Sequence, residues 1–141
     1  MVAKEIIEKD LINQFIGQKC VLITGDERDT AYFGTITKIE NKTFHDWGGD
    51  YSLVAVSIVD WVAINHWEKY TTFKQLAENG IIGKCEQFVG PRCHTKLTEY
   101  GVLKILPCSE EAITNIEAEA DRQDKKRRDY LERKYGKSQD N

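Results

Sequence analysis

The chain has 141 residues, of which 40% are hydrophobic and 30% are charged, with 2 prolines and 10 glycines. This length suits one compact domain or a small domain with an appendage, and the composition excludes collagen-like and wholly disordered chains. Charge is uneven, because residues 1–121 contain 12 Lys and Arg against 19 Asp and Glu (net −7), whereas residues 122–141 contain 8 against 4 (net +4).

Membrane and secretion signals are absent from the sequence. No apolar run approaches the roughly 18 residues that a spanning helix needs, and the N-terminus lacks a signal-peptide core and cleavage site. We therefore expect no membrane association and a cytoplasmic location, in the protein's own cell or in that of a host.

The first half predicts one helix followed by strands. Apolar residues recur at three- and four-residue spacing through residues 2–16, which indicates an amphipathic helix that ends at Gly17. Gly34 lies in the longest of the runs that follow and allows a sharp bend. Five short strands in so little chain are typical of a strongly bent barrel. They are expected at residues 19–24, 30–39, 43–47, 51–57 and 61–65, with turns at 25–29, 40–42 and 48–50.

The second half begins with a short helix. Thr72 and Gln75 have the spacing of a capping box, and Gly80 is placed to end the helix after it. Residues 81–89 and 100–106 have strand composition and predict a hairpin-like pair.

Ser109 is the predicted N-cap of a last helix, which runs to about residue 135 and stops at Gly136. The fold class is therefore α+β. The predicted organisation is a barrel with its helix at 1–66, a small α+β appendage at 67–108, a C-terminal helix at 109–136 and a disordered tail at 137–141.

Residues 34–44 carry the most specific pattern, with a mid-strand glycine, alternating apolar residues, an acidic-Asn turn and a further strand. This pattern resembles the bacterial Hfq branch of the Sm-like family, over about residues 5–65. The resemblance implies a small barrel, assembly into rings and binding of uridine-rich RNA. Residues 58–62 lack the aromatic-Lys-His motif by which that family binds bases, and Asp60 would repel phosphate there. No binding residue is therefore carried over.

Four cysteines and a neighbouring histidine raise the question of zinc. Seven residues lie between Cys85 and Cys93, whereas structural zinc sites use close pairs, so reduced and buried thiols are favoured. No metal or cofactor is predicted, and convergence of Cys85, Cys93, His94 and Cys108 is left open. Cys93 and His94 cannot form a catalytic pair, since neighbours on an extended chain point to opposite sides. A binding protein is favoured over an enzyme.

Three regions offer ligand chemistry. The loop at residues 83–96 combines Phe88 with Arg92 and Lys96, which suits a base that stacks and a phosphate that meets a cation; a solvated loop is the alternative. Trp47, beside two glycines, is a candidate stacking platform. Residues 121–129 of the last helix have no apolar side chain. Their cations suit a pocket or groove shared by two copies, although bases near a helix C-terminus also simply complement its dipole.

The leading hypothesis is a non-enzymatic homo-oligomer, a dimer or a hexameric ring, that captures a phosphate-bearing nucleotide or RNA. The acidic body favours a small nucleotide over a long polymer. One alternative is a phage-type anti-defence sponge for a cyclic nucleotide or ADP-ribose-type signal, which the chain resembles only in size and charge layout. Another is a protein-binding inhibitor or adaptor that acts through the C-terminal helix. The candidate ligand-binding residues are Arg122, Arg127, Arg128, Lys126, Arg92, Lys96, Phe88 and Trp47.

Overall fold

The structure, a computed structural model, describes residues 1–25 and 30–136, so most of the predicted turn at 25–29 and the predicted tail at 137–141 lie outside the described residues. It contains helices, a five-stranded antiparallel sheet and a long C-terminal helix, which confirms the α+β class. No helix in the described ranges is long and apolar enough to cross a membrane.

Two short helices, α1 (Ala3–Glu8) and α2 (Ile12–Phe15), replace the single helix predicted for residues 2–16. The prediction is wrong at Asp10, whose φ of 55° is left-handed and interrupts the helical ladder. The second helix ends just before Gly17, which has a φ of 85°, as predicted.

Only three of the five strands lie within residues 19–65. They are β1 (Lys19–Thr24), β2 (Ala31–Asp46) and β3 (Gly49–Ile64), and they are followed by β4 (Leu97–Tyr100) and β5 (Val102–Pro107). The predicted division into five is wrong because pairing continues through the expected turn at 40–42, where Asn41 faces Val54. The predicted hairpin is also wrong, since Gly83–Phe88 forms a 3-10 helix and β4 and β5 do not pair with each other.

One bent segment holds both edges of the sheet, whose strand order is β4-β3-β2-β1-β5. Tyr100 pairs with Ala55 on β3, and Val102 pairs with Thr24 on β1. Because Gly101 alone separates these two edge strands, the sheet must curl until its edges meet. The sheet thus includes residues on both sides of position 66, and the division into domains there stays a prediction.

Gly34 lies at an irregularity in the ladder between β2 and β3. The register shifts between Phe33 and Thr35, opposite the left-handed Asp60, whose φ is 51°. A Cβ at Gly34 would approach Cβ of Ile58 to 3.0 Å. The glycine therefore permits a close crossing of the two strands at the bend.

The two remaining helices are α3 (Phe73–Asn79) and α4 (Glu110–Tyr135). The capping box of Thr72 and Gln75 is confirmed, and Gly80 follows α3 with a φ of 78°. The Ser109 hydroxyl accepts a hydrogen bond from the Ala112 amide at 3.1 Å, which confirms the N-cap of α4.

Two hydrophobic clusters cover opposite faces of the sheet, since neighbouring residues of one strand point to opposite sides. Leu22 belongs to the cluster that includes α1 and α2, whereas Val21 belongs to the cluster that includes α3 and α4. Ile116 and Ala120 anchor the first half of α4 in this second cluster.

Candidate functional site

The long helix α4 changes its surroundings halfway along. Ala112, Ile116 and Ala120 are completely buried in its first half, whereas every side chain from residue 125 to residue 135 is exposed. Those 11 residues span about 16 Å at the rise of an α-helix. Since all sides of this stretch face solvent, it projects from the part of the protein that the structure describes.

The projecting stretch, residues 125–135, is here called the basic segment. Lys and Arg occupy six of its positions and Asp and Glu occupy two, so its formal charge is +4. The cations are Lys125, Lys126, Arg127, Arg128, Arg133 and Lys134.

Local interactions support the helix where no core does. Most residues of the segment have high helix propensity, and Arg133 Nε donates to the Asp129 carbonyl at 3.4 Å. Arg128 Nε lies 3.9 Å from the Asp124 carboxylate one turn earlier, at the limit for an ion pair. The helix thus extends beyond the body without burying an apolar face.

Three predicted phosphate ligands, Lys126, Arg127 and Arg128, fall within the basic segment. Among the described residues, no carboxylate lies within ion-pair distance of Lys126 or Arg127. These side chains can therefore contact an anionic partner without first breaking an internal pair.

Arg92 and Arg122, which were predicted to bind the same ligand, are engaged with carboxylates. Arg92 Nη2 lies 3.1 Å from Asp121 Oδ1 and 3.6 Å from Glu117 Oε2, while Arg122 Nη2 lies 2.8 Å from Glu119 Oε2. In the same region Lys19 Nζ lies 2.5 Å from Glu117 Oε1. We call these six residues the ion-pair network. Its three cations and three anions cancel, so it attracts phosphate less than its arginines alone would.

Glu119 is one of four members of this network, with Lys19, Glu117 and Asp121, that the sequence did not single out. Its side chain is 5% exposed, and Oε1 accepts a hydrogen bond from Gln123 Nε2 at 2.8 Å. Oε2 lies against Arg122 without the geometry of a hydrogen bond. The available signal was its position three residues after Ile116, on the apolar side of the helix.

Phe88 and Lys96 lie in other surroundings. The Phe88 ring stacks on Tyr70 with centroids 5.7 Å apart and meets His66 edge-on at 5.0 Å. One of its faces is therefore already covered. Lys96 is exposed in the loop that also holds His94, whose Nδ1 lies 2.8 Å from Asp60 Oδ1.

Trp47 is the most exposed large apolar residue described, at 106% of its reference area. It lies at the turn between β2 and β3. Lys126, Arg127 and Arg128 are consecutive on the exposed helix, and the fold places Arg92 against Asp121, the residue before Arg122. It does not place Phe88 or Trp47 against either group.

The four cysteines are free thiols. Burial raises the pKa of both Cys20 and Cys108 to about 12, and the nearby Cys20 thiol adds to the shift at Cys108. Both thiols are thus protonated near neutral pH, the form that neither attacks as a nucleophile nor binds metal. Over residues 1–25 and 30–136, no group of three or more His, Cys, Asp or Glu side chains could hold a metal ion.

Comparison of the chain with profiles of known protein families, with curated proteins and with solved structures finds no match. The resemblance to the Sm-like family accordingly stays a prediction. The charge and exposure of α4 are the observations from which a function can be argued.

Proposed function

We propose that this protein is a non-enzymatic binding protein that holds RNA through the basic segment of α4. The observation that carries the proposal is a formal charge of +4 on 11 consecutive exposed helical residues. Such a charge density favours a polyanion, because each phosphate that pairs with a cation releases condensed counterions.

The shape of the segment supports a polymer rather than a small nucleotide. Small-molecule sites are concave, whereas a helix that faces solvent on all sides is convex. The sequence alone favoured a small ligand because the body is acidic. The segment extends about 16 Å from that body, so its distal half, with Arg133 and Lys134, lies beyond the ionic screening length of about 8 Å at physiological salt.

Exposed aromatic side chains in the segment favour single-stranded RNA. Tyr130 and Tyr135 are 52% and 54% exposed, and they lie among the cations. Unpaired bases stack on such rings while Lys and Arg contact the backbone, a combination that a paired duplex does not offer.

Fluorescence anisotropy with a labelled uridine-rich RNA of about 20 nucleotides tests the proposal. We expect the affinity to fall steeply with salt. We expect the triple variant Lys126→Gln, Arg127→Gln, Arg128→Gln to bind at least about tenfold more weakly, with a salt slope reduced by about 2. The matched control is Lys4→Gln, Lys38→Gln, Lys42→Gln, which removes the same charge from exposed sites outside α4.

Equal binding by the triple variant and the wild type would overturn the proposal. Equal weakening by the triple variant and its control would show that net charge, and not the segment, governs affinity. Shallow salt dependence with competition by a cyclic nucleotide would instead favour the sponge hypothesis.

A second candidate function, that of an adaptor for an acidic protein, is favoured by the apolar side chains of the segment. Leu131 is 42% exposed beside Tyr130, and a leucine has no use in RNA stacking. In the adaptor case Leu131→Ala weakens partner binding, while RNA binding is absent. We also propose a cytoplasmic setting, where free thiols such as these stay reduced.

A further inference from the structure

The hairpin between β2 and β3 extends past the rest of the sheet. Pairing of β1 with β2 stops at Thr35, and β4 pairs with β3 only over residues 55–58. Residues 41–53, here called the hairpin arm, therefore form a two-stranded ribbon. Such a ribbon is marginally stable by itself in water.

The tip of the hairpin arm is nevertheless well ordered by its own contacts. Trp47 and Gly48 form a two-residue turn closed by the pair of Asp46 and Gly49, and the Gly48 amide donates to Asp46 Oδ1 at 2.8 Å. Further down, the Phe44 ring stacks on Tyr51 with centroids 5.4 Å apart. These contacts hold the backbone of the turn that carries Trp47, while the indole itself is fully exposed to solvent.

An apolar cleft of about 420 Å³ lies at the base of the same arm. Its walls come from α1, from the arm and from the bend between β4 and β5; the apolar lining residues are Val2, Ile7, Leu53, Val54, Val102 and Leu103. Val2 is 42% exposed and Leu103 is 54% exposed. This lining has the apolar character of a site that takes a hydrophobic anchor.

Trp47 cannot reach the cleft of its own chain. Val54 lies in the cleft wall seven residues after Trp47, and the ladder between them has no register shift. The strand from Gly49 to Val54 spans about 16 Å, so the arm carries its tip away from its own base, and the Trp47 side chain is fully exposed.

We infer that Trp47 of one copy inserts into the apolar cleft of a second copy of this chain. Tryptophan is among the residues that most often anchor interfaces, and its area and shape suit a cleft of this volume. Lys4 and Glu8 both line the cleft and cancel in charge, with Nζ 3.9 Å from Oε1, so the apolar lining is what favours the exposed indole. Asn41, which also lines the cleft, has an amide oxygen that can accept from the indole N–H.

Each copy has one tip and one cleft that cannot meet within the chain. Two copies can exchange tips reciprocally, or several can close head to tail into a ring. Both arrangements cover Trp47, Val2 and Leu103 together. The interface between copies does not use the basic segment. The inference about this interface can therefore be wrong while the RNA-binding proposal is right, and the RNA-binding proposal can be wrong while this inference is right.

Sedimentation equilibrium of the full chain tests this inference. We expect the wild type to assemble, and we expect Trp47→Ala and Leu103→Arg each to weaken assembly at least about tenfold. Leu103 is half exposed, so its replacement leaves the core intact, and a thermal melt checks this. The matched control Tyr130→Ala removes another exposed aromatic ring, and it leaves assembly unchanged.

Mixing the two variants tests whether Trp47 binds in the cleft or at another surface of the second copy. Trp47→Ala keeps an intact cleft and Leu103→Arg keeps an intact tip, so an equimolar mixture regains one tip-to-cleft contact and forms a hetero-oligomer that native mass spectrometry resolves. A monomeric wild type at about 100 μM, unchanged assembly of Trp47→Ala, or no hetero-oligomer in the mixture would each overturn the inference. Binding of a small apolar probe to a monomeric wild type would identify the cleft as a ligand site instead.

Discussion

The Arg92 guanidinium lies 3.1 Å from the Asp121 carboxylate, and this contact joins the loop before β4 to the middle of α4. Asp121 lies at the boundary between the packed half of the helix and the basic segment. The Arg92 side chain is only 25% exposed, so the pair is shielded from solvent on one side. Arg92 thus positions α4, and the proposed contacts with phosphate are made by the cations of the basic segment.

Replacing Arg92 with Ala is expected to lower the free energy of unfolding by about 0.5–1 kcal/mol, because a partly shielded ion pair is lost. The loss of RNA affinity should be smaller for Arg92→Ala than for the triple variant described above. Urea unfolding and anisotropy measure the two effects. Lys96→Ala in the same loop is the matched control, since this exposed residue should change stability by no more than about 0.5 kcal/mol. A larger loss of affinity for Arg92→Ala than for the triple variant would contradict this role.

Gly80 marks the closest approach of α3 to α4. A Cβ there would lie 2.7 Å from the Ala112 carbonyl oxygen, and the residue has a φ of 78°. We expect Gly80→Ala to destabilise the fold by about 2–3 kcal/mol through strain and clash together. Gly83→Ala is the control, since its φ of 66° carries the strain but nothing lies within 4 Å. Its cost should be about 1 kcal/mol, and equal urea midpoints for the two variants would exclude the clash.

Truncation after Asp124 should remove RNA binding and leave the fold intact. The reason is that residues 125–135 are exposed, whereas Ile116 and Ala120 belong to the core. We expect the midpoint of thermal unfolding to shift by less than about 4 °C. Truncation before Ser109 is the contrasting variant, and it should unfold the second cluster. If the chain truncated after Asp124 lost cooperative melting, that result would show that the basic segment packs on the body.

The buried thiols predict a fall in stability at alkaline pH. The pKa of Cys20 and Cys108 is raised from 9.0 to about 12, so the folded state holds a proton that the unfolded state releases above pH 9. Stability from this source is complete below pH 9 and is lost as the pH rises toward 12. The slope is up to about 1.4 kcal/mol per pH unit for each thiol.

Urea unfolding between pH 8 and about pH 11 measures this loss. Cys108→Ala is the informative variant, because it removes one of three thiols whose pKa is raised by burial, the third being Cys85, and it should make the slope shallower. An unchanged slope in that variant would assign the alkaline loss to other groups.

Local signals were sufficient for several elements. The bounds of β1, the capping box of Thr72 and Gln75, and the N-cap at Ser109 are all as predicted. Each depends on residues within a few positions of one another, so the interactions that form it are visible in a short stretch of sequence.

Contacts between distant residues decided the rest. The sheet closes because Val102 pairs with Thr24. Nothing in the local sequence of either residue indicates that the two will pair. β2 and β3 continue through polar residues at 40–42 because pairing outweighs local turn preference. Arg92 and Trp47 were both predicted as ligand contacts, yet Arg92 meets a carboxylate of α4 and Trp47 faces open solvent. Whether a side chain is neutralised or exposed depends on tertiary neighbours, and those are set only when the whole chain has folded.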